Sequence, residues 1–475
     1  MSSEQLPAEA TSSKPLRVAV VGAGPAGFYA TEALLKARED VSVDLFDRLP
    51  TPYGLVRFGV APDHQKIKSV TRLYERALND SRTRLFGNVE LGRDVTHDDL
   101  QRHYHAVLYA VGSANDRRLG LPGEDLAGSH SATEFVAWYN GHPDYCDATF
   151  PLDATDVVVI GMGNVAIDVT RILAKGHQEL AVTDMADHAL EELKGSAALR
   201  ITMIGRRGPA EAKFTTKELR ELGELLNADI EVAAEELELT PESAAAAAAD
   251  ATTAKNVEVL NAFAQQQPSG KPRTVALRFL LSPVELLGSD RVTAVKVERN
   301  ELVATDDGYI RAVGSGEFET IPAQLVFRSV GYRGSALGGL PFDERRGVIP
   351  NVDGRVVGDG VVGEQGQPLA GTYVAGWIKR GPSGVIGTNK ADAMQSATAL
   401  LEDFDAGRLA KSDRSALELP AIDELLASRG ARPLNAEAWF ALDQEELAAG
   451  VAQGRPRVKR VRWAELVDEP SGGND

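Results

Sequence analysis

A pattern of strand, glycine-rich turn and helix occurs twice in this chain and constrains its fold more than any other feature. The first copy begins with the apolar run at 16–22 (LRVAVVG), and a second strand is predicted over Val41–Asp47. The second copy has a strand at Val157–Gly161, a helix at Val165–Lys175 and a strand at Ile201–Gly205. Each copy is typical of a nucleotide-binding half-sheet. The sequence therefore predicts an α/β protein with two Rossmann-like, doubly wound nucleotide-binding domains.

The first turn contains the three glycines of a dinucleotide-binding fingerprint. Gly22 permits a tight turn, Gly24 lets the backbone approach a pyrophosphate, and Gly27 lets the helix lie close to the strand. Asp47 ends the next strand, 20 residues after Gly27, where a carboxylate accepts hydrogen bonds from ribose hydroxyls. An acid there favours FAD or NAD and would repel a 2′-phosphate.

The second turn, at 161–166 (GMGNVA), ends its fingerprint with alanine, and its following strand ends in Arg206 and Arg207 instead of an acid. Paired guanidinium groups match a phosphate, so this site is predicted to select NADP over NAD. The spacing to Arg206 is long because 176–196 resembles an insertion. The alternative is that the arginines form an ordinary solvated surface.

Two ribose chemistries imply two cofactors, FAD at the first turn and NADP(H) at the second. Hydride transfer between them is the expected chemistry. A further turn at 384–387, with Thr388 as a predicted helix cap, would direct amides at a flavin, and Trp377 would flank the ring. The alternative is a glycine turn with a structural role only.

Composition excludes several kinds of chemistry. The single cysteine, Cys146, is too few for a disulfide framework, a Cys-x-x-Cys pair, an iron–sulfur cluster or a multi-cysteine zinc site, and no metal is predicted. The net charge of -18 argues against nucleic acid as a partner. No stretch approaches the roughly 18 apolar residues of a membrane span. Residues 1–14 lack a signal-peptide core and are predicted to be a disordered tail, so the cytoplasm is the expected location.

Other segments allow coarser predictions. The alanine-rich residues 242–253 are predicted to be helical or a surface linker, and 274–299 alternate as an antiparallel ribbon would. Buried strands are predicted at 104–112 and 325–331, and a short strand at 372–376.

Several long stretches resemble the adrenodoxin-reductase-like family of NADPH:ferredoxin reductases, in particular its bacterial single-chain members. Examples are VGAGPAGFYA from Val21, PTPYGLVRFGVAPDHQKIK from Pro50, GRRGPAEAKFTTKELREL from Gly205 and AGWIKRGPSGVIGTNK from Ala375. The likeness extends from about residue 16 to residue 400 and returns in GRPRVK from Gly454.

The resemblance implies specific cofactor contacts. It implies FAD contacts at Ala26, Asp47, Leu55, Leu91, Trp377, Gly384, Val385 and Ile386. It implies NADP contacts at Arg117, Met162, Gly163, Asn164, Val165, Arg206, Arg207 and Glu218. His64 and Glu221 match positions near the nicotinamide and flavin, where they would tune hydride and proton transfer. Without the family, His64 is interpreted as a solvent-facing loop histidine and Glu221 as part of a solvated helix face.

The predicted domains are an FAD domain at 15–112 and 332–475 and an NADP domain at 113–331 inserted into it. The predicted function is reversible NADPH:ferredoxin oxidoreduction by a monomer, in which reduced FAD passes single electrons to two ferredoxins. Ferredoxins are generally acidic, so a ferredoxin is expected to dock on basic residues. The candidates are Arg455, Arg457, Lys459, Arg460 and Arg462, with Lys379 and Arg380. Their alternative is an ordinary soluble surface.

Three other functions are considered beside this one. A flavin oxidase or monooxygenase would need a small-molecule pocket, and the complete second nucleotide fold disfavours it. A disulfide reductase of the thioredoxin-reductase type is effectively excluded by the single Cys146. A nucleotide-binding sensor without turnover belongs to a different class, and rapid bleaching of a yellow protein by NADPH would exclude it.

Overall fold

The structure is a computed structural model that describes residues 15–305, 309–358, 366–409 and 419–467. The predicted disordered tail at 1–14 lies outside the described residues.

Within those ranges the strands follow one another along the chain. They are β1 (Leu16–Val21), β2 (Val41–Phe46), β3 (Thr83–Phe86), β4 (Ala106–Tyr109), β5 (Asn115–Asp116), β6 (Ser129–Ser131), β7 (Asp156–Ile160), β8 (Arg200–Ile204), β9 (Ala228–Val232), β10 (Arg273–Arg278), β11 (Leu281–Leu287), β12 (Ala294–Ala304), β13 (Ile310–Pro322), β14 (Leu325–Arg328), β15 (Tyr332–Arg333), β16 (Asn351–Val352), β17 (Arg355–Val357) and β18 (Pro368–Val374).

The helices of the same ranges are α1 (Pro25–Ala37), α2 (Leu55–Phe58), α3 (Gln65–Lys68), α4 (Thr71–Leu78), α5 (His97–His103), α6 (Ala132–Tyr139), α7 (Asn164–Ala174), α8 (His177–Leu180), α9 (Asp187–Lys194), α10 (Thr216–Gly223), α11 (Pro241–Ala249), α12 (Ala251–Ala264), α13 (Trp377–Arg380), α14 (Thr388–Asp405), α15 (Leu419–Ser428), α16 (Ala436–Gln453) and α17 (Trp463–Val467). Short 3-10 turns occur at Pro209–Glu211 and Ala234–Leu237. In the part of the chain that the structure describes, no helix has both the length and the apolar character needed to cross a bilayer.

The chain divides into two compact units. Unit 1 takes its described residues from 1–56, 69–114 and 333–441, and unit 2 from 57–68, 115–332 and 442–475. The stretches 57–68 and 442–475 therefore group with unit 2, unlike in the predicted domain division. Buried ion pairs such as Arg57 with Glu446 and Lys68 with Asp184 account for that grouping. Which nucleotide each predicted domain binds stays a prediction.

Unit 1 is built on a seven-stranded sheet in the order β16-β17-β18-β4-β1-β2-β3. Strands β18, β4, β1, β2 and β3 are parallel, and β16 and β17 form an antiparallel edge. Every residue of β1 is buried, as expected for a central strand covered on both faces. Helices α1 and α14 pack against each other on this unit. The predicted strands at 16–22 and 41–47 are confirmed.

Unit 2 contains a six-stranded parallel sheet in the order β6-β14-β7-β8-β10-β9. A separate antiparallel sheet is formed by β11, β12 and β13. The ribbon predicted at 274–299 is therefore wrong for its first part, because β10 pairs in parallel with β8 and β9. It is confirmed where β11 pairs with β12. The alanine-rich segment lies in α11 and α12, and α8 and α9 form the insertion before β8.

Candidate functional site

The glycine turn after β1 leaves an open space at the N-terminus of α1. Gly22 has φ +111°, and a methyl group there would lie 2.4 Å from the Ala110 carbonyl oxygen. A methyl group on Gly27 would lie 2.0 Å from the Gly22 oxygen. At Gly24 the nearest atom would be Gly54 Cα at 3.9 Å. Two glycines are thus required by the protein itself, whereas the space beside Gly24 fits a pyrophosphate at the helix N-terminus.

Asp47 follows β2 and lies beside this turn. Its carboxylate accepts hydrogen bonds from the backbone N–H groups of Ala23 at 2.8 Å and Leu49 at 2.9 Å. Burial raises the pKa of Asp47, although these two bonds and Arg48 act in the opposite direction. Asp47 therefore ties the turn to the end of the strand, a structural role that the fingerprint does not reveal.

The other residues assigned to FAD lie in unit 1. Ala26 is buried in α1, Leu55 begins α2 after Gly54, and Leu91 is half-buried against the core. Trp377 begins α13 directly after Gly376, which has φ +76°.

The turn at 384–387 differs in one respect from its prediction. Gly384 has φ +79° and Val385 is exposed, as a turn requires. Thr388 is the first residue of α14, and Gly387 is the N-cap, so the predicted cap is wrong. The Thr388 hydroxyl instead accepts a hydrogen bond from the Val385 N–H at 3.1 Å. The Thr388 side chain therefore stabilises the turn from the first position of α14.

The second glycine turn, after β7, repeats this geometry in unit 2. A methyl group on Gly161 would lie 2.2 Å from the Ser329 oxygen, whereas one on Gly163 would have no atom within 4 Å. Met162 and Asn164 connect the turn to the segment before α10, since the Met162 oxygen accepts from Lys213 N–H and Asn164 Oδ1 from Thr215 N–H, both at 2.8 Å. The open space at Gly163 lies at the N-terminus of α7 and fits a second pyrophosphate.

The arginines after β8 are held by their backbone and leave their side chains accessible. Asn300 is buried and donates from Nδ2 to the Arg206 oxygen at 2.8 Å. Arg206 is exposed. Arg207 lies against Tyr309, and its Nη1 donates to the Tyr309 hydroxyl at 3.3 Å. Within the described ranges neither guanidinium forms an ion pair with a carboxylate. This arrangement fits a phosphate. Arg117 is likewise exposed, and its Nε donates to the Tyr332 oxygen at 3.3 Å.

His64 lies in a buried cluster of charged groups, all in unit 2. His64 Nε2 donates to Glu221 Oε2 at 2.7 Å and lies 3.4 Å from Glu218 Oε2. His64 Nδ1 lies 3.9 Å from Asp168 Oδ1. Arg171, which is 1% exposed, donates to Asp168 at 2.6 Å and also to Asp63. We call His64, Asp168, Arg171, Glu218 and Glu221 the His64 cluster.

The cluster favours a charged imidazole. Burial lowers the pKa of His64, but the hydrogen bond to Glu221 and the charges of Asp168 and Glu218 outweigh it, so the pKa is raised. Burial also opposes ionisation of Glu221, yet its bond with His64 and the charge of Arg171 lower its pKa to about 2. Burial and Asp168 raise the pKa of Glu218 to about 7. The cluster thus contains one carboxyl group, Glu218, that titrates near neutral pH beside an imidazole whose pKa is raised.

The interpretation of His64 as a solvent-facing loop histidine and of Glu221 as part of a solvated helix face is therefore wrong. His64 is buried, and Glu221 is half-buried in an ion pair with it. The partners Asp168 and Arg171 were missed by sequence reasoning. Their signal is the spacing of Asp168, Arg171 and Lys175 on one side of an otherwise apolar helix. Ligand atoms of His64, Asp168 and Glu218 lie within 4.8 Å of one another, but Arg171 and Glu221 already occupy Asp168 Oδ1 and His64 Nε2.

Several basic residues assigned to docking are not on the surface. Arg455 and Lys459 are buried, and Arg457 pairs with Asp443 and Glu446. Lys379 is also buried, and its ammonium lies 3.1 Å from Asp392. The docking hypothesis is wrong for these side chains, because Arg457, Lys459 and Lys379 are paired with carboxylates inside the protein and the buried Arg455 is bound by the Thr183 and Met185 carbonyls and by Asp187. Arg460 and Arg462 are exposed, and each pairs with a neighbouring acid.

The single thiol is also internal. Cys146 is buried and donates to the Pro143 oxygen at 3.3 Å, and burial raises the pKa of its thiol. A thiol in this environment is a poor nucleophile.

Comparison with known proteins agrees with these observations. The model of a family described as pyridine nucleotide-disulphide oxidoreductase matches residues 16–203. The chain is 45% identical over 462 residues to NADPH-ferredoxin reductase FprA of Mycobacterium tuberculosis, covering 96% of this chain and 99% of that protein. It is 40% identical to the mitochondrial NADPH:adrenodoxin oxidoreductase of Arabidopsis thaliana, covering 96% and 95% of the two chains.

The solved structure of Mycobacterium tuberculosis FprA in complex with NADPH matches with a TM-score of 0.89 and 44% identity, covering 96% of this chain and 99% of that one. Because such relatives are matched over nearly their whole length, the chain belongs to the adrenodoxin-reductase-like family of NADPH:ferredoxin reductases.

Proposed function

We propose that this chain is an NADPH:ferredoxin oxidoreductase that binds FAD at the glycine turn of unit 1 and NADP(H) at that of unit 2. The observation that carries the proposal is the pair of open spaces at Gly24 and Gly163, the second combined with the accessible Arg206 and Arg207. Family membership supports the same activity. The residues of the first turn would hold FAD, which would supply hydride acceptance from NADPH and single-electron release suited to a one-electron carrier such as ferredoxin.

The protein's own residues bind and orient the two nucleotides. The N–H groups at the start of α1 and α7 receive the pyrophosphates, and Arg206 and Arg207 bind the 2′-phosphate through charge-assisted hydrogen bonds. Glu218 and Arg117 are further NADP contacts, and Leu55, Leu91, Trp377 and Ile386 are apolar contacts for FAD. His64 and Glu221 hold a proton between Nε2 and Oε2 inside unit 2.

The electron partner is a ferredoxin, which also appears in the names of bacterial relatives. We further propose that the enzyme acts as a monomer in the cytoplasm. The direction of electron flow depends on the potentials of the partner and of the NADP pool, because the same contacts bind NADPH and NADP⁺.

A ferredoxin-coupled assay tests this function. The purified protein should be yellow, and NADPH should bleach it and support ferredoxin-dependent reduction of cytochrome c, with NADH far less effective. Omitting ferredoxin should remove most of the cytochrome signal. A colourless protein that cannot be reconstituted with FAD, or equal rates without ferredoxin, would contradict the proposal.

Substitution of both Arg206 and Arg207 by Ala tests the phosphate site. Each hydrogen bond to a charged group contributes about 1.5–3 kcal/mol, so KM for NADPH should rise at least about tenfold. KM for NADH should change little, because NADH lacks the 2′-phosphate. Arg220→Ala removes an exposed arginine from α10 and is the matched control. An unchanged NADPH to NADH ratio in the double variant would refute the assignment.

A further inference from the structure

The segment that carries His64 is fixed at both of its ends by buried ion pairs. We call residues 57–68 the His64 loop. At its start, the Arg57 guanidinium donates to both oxygens of Glu446, at 2.8 and 2.5 Å. At its end, Lys68 Nζ donates to both oxygens of Asp184, each at 2.7 Å. The anchors thus come from α16 and from the insertion before β8, outside the nucleotide-binding turns.

One side chain, Lys459, links the two ends of the loop, contacting Arg57 directly and Lys68 through Asp184. Its Nζ donates to the Arg57 carbonyl oxygen at 3.2 Å and lies 3.6 Å from Asp184 Oδ2, on the carboxylate that binds Lys68. It also donates to the backbone and side-chain oxygens of Asn140, at 3.0 and 3.3 Å. The Lys459 side chain is 0% exposed. Its ammonium therefore joins the two ends of the His64 loop inside the protein.

Burying this ammonium is costly. Burial lowers the pKa of Lys459 well below its usual range, and the nearby cations Lys68, Arg57 and Arg457 act in the same direction, while Asp184 opposes them. Apolar replacement of a buried charge pair often leaves stability unchanged or improved. Stability alone therefore does not account for a lysine at this position, whereas three hydrogen bonds and one ion pair fix the geometry of the groups that they join.

The geometry fixed in this way is that of His64. Between the two anchored ends, Asp63 binds Arg171 and Lys175, and the His64 carbonyl oxygen accepts from Ile67 N–H at 3.0 Å and Lys68 N–H at 3.3 Å. A shift of the loop end would therefore move His64 relative to Glu221, Glu218 and Asp168. The 2.7 Å bond to Glu221 would not survive a shift of about 1 Å.

We propose that Lys459 is a positioning residue for His64, holding the His64 loop in the register that keeps the imidazole bonded to Glu221. This inference rests on the proposed function for its kinetic consequence only, because the position of His64 is measurable without turnover. It also means that Lys459, within the basic stretch at 455–462, acts inside the protein and not in docking.

The test compares Lys459→Met with Lys296→Met, the same substitution elsewhere in unit 2. Lys296 is half-buried with its ammonium over the Phe318 ring, and among the described residues it forms no hydrogen bond or ion pair with the His64 loop or with Asp184. We expect Lys459→Met to lose thermal stability, because it removes one partner of a set of buried polar contacts, and both variants to retain FAD. Flavin reduction by NADPH should slow about tenfold in Lys459→Met, as expected when a group that serves the reaction is misplaced, and should be unchanged in Lys296→Met.

The titration of His64, followed by NMR of the oxidised holoenzyme, separates positioning from simple electrostatics. Removing the positive charge of Lys459 would by itself raise the pKa of His64 or leave it unchanged, because a cation disfavours the imidazolium. Losing the bond to Glu221 would lower the pKa of His64. A lowered pKa in Lys459→Met and an unchanged one in Lys296→Met support the proposal, whereas a raised or unchanged pKa in Lys459→Met overturns it.

Lys459→Gln keeps the test informative if Lys459→Met does not fold. Glutamine retains an N–H donor for the carbonyl oxygens of Arg57 and Asn140, so we expect the same two changes with a smaller size. Wild-type rates and titration in this variant would overturn the proposal. A wild-type enzyme that NADPH does not reduce would refute the proposed function, while the NMR comparison would still decide the role of Lys459.

Discussion

Glu221 and His64 stabilise each other's charged forms in a site that otherwise disfavours charge. The raised pKa of His64 means that its protonated form contributes stability fully below the ordinary value of about 6.5, and that this contribution is lost as pH rises through the raised pKa. Because the pKa of Glu221 is lowered to about 2, the pair contributes most between the ordinary pKa of a glutamate, about 4.3, and that of a histidine, about 6.5.

Glu221→Gln removes the carboxylate while keeping the shape of the side chain. We expect the pKa of His64 to fall, since burial and Arg171 then act with less opposition, and the His64-dependent step in the pH profile of flavin reduction to move to lower pH. NMR titration of His64 measures the shift directly. Glu224→Gln, an exposed residue just beyond the same helix, is the control, and a shift of equal size there would contradict the pairing.

Gly24 and Gly163 allow the two cofactor sites to be tested separately. Both have extended backbone angles that alanine adopts, and a methyl group meets nothing closer than 3.9 Å at Gly24 and nothing within 4 Å at Gly163. Gly24→Ala should therefore fold but bind FAD weakly, and Gly163→Ala should keep FAD but bind NADPH weakly.

Overpacking costs about 1–3 kcal/mol, so each affinity should fall roughly 5- to 150-fold. Thermal melting of the apoprotein and titration with each nucleotide measure both effects. Full affinity in either variant would place that pyrophosphate elsewhere.

At the scale of elements, helix α7 shows what the sequence reveals and what it does not. The apolar period and the glycine turn predict the helix at 165–175, and the structure has it at Asn164–Ala174. The burial of Asp168 and Arg171 was not predictable, because their partners Asp63 and His64 lie about a hundred residues earlier in the chain. Local pattern determines the element, whereas distant contacts determine which of its charges are internal.

Asn300, on strand β12, holds the turn that carries Arg206 and Arg207 by bonding to the Arg206 carbonyl oxygen. Besides the Arg206 oxygen, Asn300 Nδ2 donates to Ser282 Oγ at 2.8 Å. Asn300→Ala should cost about 1–3 kcal/mol of stability, because it removes two hydrogen bonds made by a buried amide, and should raise KM for NADPH more than KM for NADH. Asn227→Ala, which removes the bond to Glu179 in the same unit, is the control. Equal KM effects on both nucleotides would show that Asn300 has no role in the phosphate site.

At the scale of the whole molecule, the net charge of -18 did not reveal where the cations lie. The sequence shows a basic stretch near the C-terminus, but a charge becomes internal only when a distant carboxylate pairs with it, as Asp184 does with Lys459. The assignment to docking failed at Arg457, Lys459 and Lys379 for that reason. An exclusion based on counting does not depend on such contacts, because a single cysteine supplies no partner thiol within the chain however it folds.

Cys146→Ser tests that exclusion. We expect ferredoxin reduction to be unchanged, since the thiol is buried, has a raised pKa and bonds only to a carbonyl that serine also reaches. Alkylating reagents should likewise leave the wild-type rate unaltered while the protein is folded. Loss of activity in the serine variant with normal FAD content would mean that a thiol takes part in electron transfer.

The composition of unit 2 from three separated stretches also affects how the chain is made. Residues 57–68 are synthesised before 115–332, and Glu446 and Lys459 follow both. Domains usually fold as units during synthesis, beginning with the N-terminal one. Here the His64 loop stays unanchored until residues 446–459 have emerged from the ribosome, so a nascent chain cannot acquire its active arrangement before then.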